Sequence, residues 1–165
     1  MSTLQYPVPG DPDSGAVLQR ERARPWRRTT WPIRIVVGAL LGWSARRVTG
    51  LGDARAAVAG FSDADVLVLL DHDPAFDAVL ADGLRHGRGF VGALGSRHTQ
   101  AERRERLLAA GLTDGDLAAL HGPVGLDLGA RTPAETAVSI VAQVIAARAG
   151  RSAAALARSE NRIGP

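Results

Sequence analysis

The chain has 165 residues, 45% of them hydrophobic, with a mean hydropathy near zero, which suits one domain with a core and is short for two. Twenty cations, every one an arginine, against 17 carboxylates leave a formal charge of +3 spread along the chain, whereas nucleic-acid binding concentrates cations on one face or helix. The absence of cysteine excludes disulfides, thiolate metal sites and a cysteine nucleophile.

Residues 1–30 mix proline, glycine, aspartate and arginine without apolar periodicity, and they hold the densest basic run, Arg20 to Arg28. That composition predicts a disordered arm. The next stretch, RRTTWPIRIVVGALLGWSA, has the outline of a twin-arginine export signal, with paired arginines ahead of apolar residues. Arg34 interrupts those residues, and a buried strand over Ile33–Val37 is the better reading.

A weakly extended stretch between Arg47 and Thr49 is a candidate second strand. VLVLL (Val66–Leu70) and GFVGA (Gly89–Ala93) are short apolar runs without the alternation of a half-exposed strand, as in the buried strands of a parallel sheet. Between them, Asp73 is placed to cap a helix, Pro74 fits its first position, and Phe76, Val79, Leu80 and Leu84 recur at helical spacing. TQAERRERLLAAG reads as a second helix, opened by Thr99 and Glu102 at capping-box spacing and closed by Gly111. A third runs from Pro133 to about Ala149, with Thr132 as cap and Glu135 as its reciprocal partner. From Gly150 the chain is expected to add a short helical turn and then fray. Strand and helix alternate, so the class is α/β.

In such folds ligands bind outside the carboxyl ends of the parallel strands. Three polar loops occupy those places. LDHDP carries Asp71 and His72, with Asp73 and Asp77 nearby: an acid–base pair, a weak metal site, or simply the solvated end of a strand with Asp73 as cap. LGSRHT, preceded by Gly92, carries Gly95, Ser96 and Arg97. Glycines that admit backbone amides, a helix N-terminus and an arginine fork suit a phosphate or carboxylate. The plainer reading, turning glycines and a solvated Arg97, stands level with it on the residue chemistry. HGPVGLDLGARTP carries His121, Gly125, Asp127, Gly129 and Arg131. Helix-start chemistry accounts for Thr132, Pro133 and Glu135 and leaves Asp127 and Arg131 unexplained.

A dinucleotide fold carries G-x-G-x-x-G after its first strand. Here IRIVV runs into GALLGW, with Gly38 and Gly42 but no close glycine pair, so NAD is not expected. No nucleophile elbow, phosphate loop or zinc protease motif takes its place.

GFVGALGSRHTQAERRERLLAAGL, followed by LHGPVGLDLGARTPAETAVSIVAQVIAARAGRS, resembles the C-terminal Rossmann-like domain of the XdhC/CoxI family, accessory proteins for xanthine dehydrogenase and carbon monoxide dehydrogenase-type molybdenum enzymes. ADVLVLLDHDPAFD resembles that family's preceding strand and turn, so the likeness runs from Ser62 to Ser152. It implies a Rossmann-like three-layer sandwich with a mainly parallel sheet over residues 31–150, a shortened first βαβ unit, and a tail over 151–165.

It also implies a cytoplasmic chaperone without catalytic residues, which binds molybdenum cofactor (molybdopterin) as cargo and assists its sulfuration and insertion. The partners implied are a molybdenum hydroxylase apo-enzyme and a cysteine desulfurase, with neither nucleic acid nor membrane. The cofactor-binding set would be Asp71, His72, Gly92, Gly95, Ser96, Arg97, His121, Gly125, Asp127, Gly129 and Arg131, with no metal ligands. Family members often carry an N-terminal domain with a glycine- and cysteine-containing motif, which Met1–Thr30 does not resemble. The chain then works as a homodimer or beside a companion carrying that domain, or is a truncated interaction module. A nucleotide-dependent oxidoreductase is the remaining alternative.

Overall fold

A computed structural model describes Trp43 and residues 46–159. The predicted arm over residues 1–30, the predicted strand Ile33–Val37 and the GALLG turn lie outside the described residues.

Helix α1 (Leu51–Val58) comes first. It ends on Val58, which is buried. The stretch between Arg47 and Thr49 forms no strand; it is the irregular approach to α1.

Strands β1 (Val66–Leu69), β2 (Phe90–Ala93) and β3 (Leu120–His121) make a parallel sheet in the order β1-β2-β3. Val66 lies opposite Phe90, Leu69 opposite Ala93, and Gly92 opposite His121. Because strand side chains alternate, the sheet builds two separate cores. Leu67, Leu69, Val91, Ala93 and Leu120 meet Leu80, Leu84, Leu107 and Leu112 on one face. Val66, Val68 and Phe90 meet Val124, Ile140 and Val144 on the other.

The first face is covered by α2 (Asp77–Arg85), α3 (Arg97–Ala109) and α4 (Asp114–Ala118), the second by α5 (Pro133–Arg148). Three layers result, in the α/β, Rossmann-like arrangement anticipated for the chain. The apolar spacing of α2 is what seats it: Val79, Leu80 and Leu84 are almost wholly buried, each such side chain contributing about 1.5–3 kcal/mol relative to exposure.

Local chemistry sets most of the boundaries. Asp73 caps as anticipated, but it caps a 3-10 turn, Pro74–Phe76, which leads into α2 at Asp77. The capping box of Thr132 and Glu135 opens α5 with Pro133 in its first turn. At the end of α3, Gly111 takes φ +87, with Leu112 N donating to Leu107 O and Gly111 N to Leu108 O, a Schellman closure.

One boundary differs from the sequence expectation. Helix α3 starts at Arg97, and its cap is Ser96, whose hydroxyl accepts from Thr99 N. Thr99 and Glu102 match capping-box spacing, but a cap needs extended backbone, and Ser96 has it, with φ −69 and ψ 166. The tail beyond Gly150 adds a 3-10 turn, Leu156–Arg158. Among the described residues no helix is long and apolar enough to cross a membrane.

Candidate functional site

The three segments leaving β1, β2 and β3 are tied into one edge at the carboxyl end of the sheet. Leu94 N donates to Leu69 O at 2.8 Å and Val124 N to Ala93 O at 3.0 Å, extending the ladder beyond the strands.

Beneath that edge lies Arg103 of α3, with no exposed side-chain surface. Its Nε donates to Asp77 Oδ1 at 3.0 Å, its Nη2 to Asp71 O at 3.2 Å, and its Nη1 to Leu94 O at 3.2 Å and Gln100 Oε1 at 3.0 Å. Arg106 Nε takes the other oxygen of Asp77 at 2.6 Å. One carboxylate thus serves two guanidinium groups, and the cluster keeps one positive charge. Gln100 donates from Nε2 to Ala93 O at 3.1 Å, and a Cβ on Gly122 would come within 2.6 Å of its Oε1, so the β3 segment packs on the same side chain.

The predicted residues fall into two groups on this edge. Asp71, His72, Ser96, Arg97, Asp127, Gly129 and Arg131 are exposed. Asp71 Oδ1 accepts from Asp73 N in a local turn, and Arg97 stands in the first turn of α3 rather than in a loop. Arg131 N donates to Glu135 Oε2. That bond, with a second from Thr132 N, holds the Glu135 carboxyl below its ordinary range.

Packing and backbone account for the other group. A Cβ on Gly92 would stand 2.6 Å from Val124 Cγ2, so Gly92 lets the β3 segment close over the sheet. Gly95 has φ +143 at the turn into α3. Gly125 has φ +117, a Cβ there would collide with Ser139 Oγ, and its N–H donates to Gln143 Oε1 at 2.6 Å. His121 is half-buried, its ring stacked on Phe90 with centroids 4.2 Å apart and planes 7° from parallel. Its Nδ1 lies 3.3 Å from Gln143 Nε2. Because Oε1 of Gln143 accepts from Gly125, Nε2 donates, and Nδ1 of His121 must accept. Burial pushes the His121 imidazole below its ordinary value, consistent with a neutral ring protonated on Nε2.

Two open concavities lie away from this edge. One, between α1 and α2, is lined by Arg55, Asp82, Arg85 and His86, and the other, beside the start of α1, by Arg46, Arg47, Thr49 and Asp53. Among the described residues no group of three His, Asp or Glu side chains could hold a metal ion, and Asp77 is committed to its two arginines.

A family model described as the XdhC Rossmann domain matches residues 19–144. The chain belongs to the XdhC Rossmann-domain family. Among solved structures it is similar to a xanthine dehydrogenase from Bacillus halodurans, at 28% identity and a TM-score of 0.47, over 66% of this chain and 31% of that one. The XdhC domain chain therefore spans about a third of that protein's length. No curated protein matches it.

Sequence reasoning missed Arg103, Gln100 and Gln143, the side chains that hold this XdhC domain's edge together. A signal existed for the first two: Gln100, Arg103 and Leu107 follow one another at the i, i+3, i+7 spacing of a single helix face, and Leu107 is buried. Gln143 carried a similar mark, three residues after the buried Ile140 in the last helix.

Proposed function

We propose that the chain binds molybdenum cofactor as cargo, without turnover, and assists its sulfuration and insertion into xanthine dehydrogenase or carbon monoxide dehydrogenase-type apo-enzymes in the cytoplasm. One observation carries the reading: the XdhC family match over residues 19–144 spans all three segments of the carboxyl edge.

The residues exposed there fit molybdopterin, which has a phosphate and polar pterin edges. Arg97 offers a planar fork for the phosphate, beside the start of a 13-residue helix. Asp127 supplies an acceptor for pterin N–H groups and Arg131 a second cation. His72 and Asp71 close the side formed by the β1 segment. When bound, the cofactor supplies the molybdenum centre that the target enzyme uses. The chain's part is to hold and orient it. These 165 residues include no cysteine to relay sulfur, so a cysteine desulfurase partner delivers sulfur to the cargo itself. The apo-hydroxylase is the second partner, and a second copy or a companion chain completes the enclosure.

The test is pterin fluorescence released from protein purified from molybdenum-replete cells. The wild-type chain is expected to carry pterin, and Arg97→Ala and Asp127→Ala to carry less at unchanged melting temperature. Wild-type protein that stays empty even after incubation with molybdopterin would overturn the reading, and full retention in both variants would overturn the site.

A further inference from the structure

Helix α3 is a highly charged helix. Glu102, Arg104 and Glu105 beside Arg103 are exposed, yet Arg103 is entirely buried. Burying a guanidinium carries a desolvation cost, and a whole buried ion pair replaced by apolar side chains of similar volume is often as stable or more so. Arg103 is therefore a poor choice if filling the core is its only task.

Its bonds indicate a different task. Asp71 and Leu94 belong to segments that leave neighbouring strands, and the two nitrogens of one rigid fork hold their carbonyls, Nη2 at 3.2 Å and Nη1 at 3.2 Å. The fork is planar, so the separation of those carbonyls is set by the guanidinium itself. Asp77 anchors the third nitrogen, Nε, and Gln100 aligns Nη1 while bonding the Ala93 carbonyl. Every nitrogen of the side chain is engaged. Lysine, with one nitrogen on a flexible stem, has no means of serving four acceptors at once.

We propose that Arg103 is a positioning residue that sets the spacing between the β1 and β2 segments of the ligand edge. The inference rests on the proposed function only in taking those segments as the place where the cargo binds. Arg103 has no surface from which to touch a ligand, so it acts through Asp71, His72, Ser96 and Arg97.

Hydrogen exchange of the full chain, followed by mass spectrometry in Arg103→Met and Arg103→Lys, tests it. Methionine keeps the core filled, and Asp77 keeps Arg106 as its partner, so the Met variant is expected to fold with a melting temperature lowered by less than that of Asp77→Ala. Its amides at residues 71–73 and 95–97 are expected to exchange about tenfold faster, while those of β2 and of residues 140–144 are unchanged, the pattern of a local opening. The Lys variant should loosen the same segments.

Unchanged exchange at both segments overturns the proposal. A uniform rise across β2 and α5, or failure of both variants to fold, also overturns it by making Arg103 an ordinary core residue. Pterin retention, measured in parallel, separates the two claims. Segments that loosen in a chain whose wild type never holds pterin support the positioning role and remove the proposed cargo. Pterin retained at the wild-type level despite loosened segments overturns the link to binding.

Discussion

Asp77, the first residue of α2, accepts from Arg103 across 3.0 Å, and the two side chains are 9% and 0% exposed. The pair joins the helix that follows β1 to the helix that follows β2 at the point where both segments leave the sheet. Its energetics are asymmetric. Removing the arginine leaves a carboxylate still paired with Arg106, whereas removing the carboxylate leaves a buried cation with carbonyl partners alone.

Asp77→Ala is accordingly expected to cost about 3–5 kcal/mol, the usual penalty for an uncompensated buried charge. Urea denaturation measures it. A loss under about 1 kcal/mol, typical of an exposed pair, would show that water reaches Arg103 in the folded chain.

Gly92 and Val124 form a second testable pair. The added methyl of Gly92→Ala meets Val124 Cγ2 at 2.6 Å, an overpacking worth about 1–3 kcal/mol. Val124→Ala removes the obstructing atom, so the double variant should be more stable than the sum of the single losses, with a coupling of about 0.5–3 kcal/mol. Additive losses would place the strain on Phe90 instead, whose Cε1 is 3.0 Å from the same point.

His121 gives the chain a pH dependence. Burial lowers its folded value, so as pH falls the unfolded chain takes up the proton more readily. The contribution of the neutral ring is whole above the ordinary imidazole value of about 6.5 and is lost as pH falls from there through the lowered folded value. Protonation also sets an Nδ1–H against the Gln143 amide donor. Denaturation midpoints at pH 7.5 and pH 5 are expected to fall further apart in the wild type than in His121→Gln; equal differences would contradict a lowered imidazole value in the folded chain.

At the start of α5, Thr132 Oγ1 accepts from Glu135 N while Glu135 Oε2 accepts from Thr132 N and Arg131 N. Thr132→Ala should cost about 1 kcal/mol, as for other helix caps. Thr132→Ser, which keeps the acceptor, should stay near wild type by thermal melting.

The parts of this fold legible in the sequence are those that one short stretch specifies for itself. VLVL and FVGA are apolar over consecutive positions because the sheet buries both of its faces. T-P-A-E starts a helix through bonds that reach no further than three residues. The three segments at the carboxyl edge followed from alternation alone, since every segment that runs from a parallel strand into the next helix leaves at the same end of the sheet.

Strand β3 was not legible in the same way. Two residues have no periodicity, and Leu120–His121 is a strand only because β2 pairs with it. The five-residue α4 is likewise too short to show a pattern, although Thr113 and Asp116 form a complete capping box.

Among the side chains the division is sharper. Sequence alone assigned Asp71, Ser96, Arg97, Asp127 and Arg131 to the segments that follow the three strands, because their order along the chain suffices for that. Only the tertiary structure decided that Gly92 and Gly125 are needed for close packing, that His121 is a half-buried ring stacked on Phe90, and that one arginine of ERRER is buried. Burial depends on what a residue meets across the fold. Arg103 meets Asp77, 26 residues away, and Asp71, 32 residues away, a pairing that no local pattern encodes.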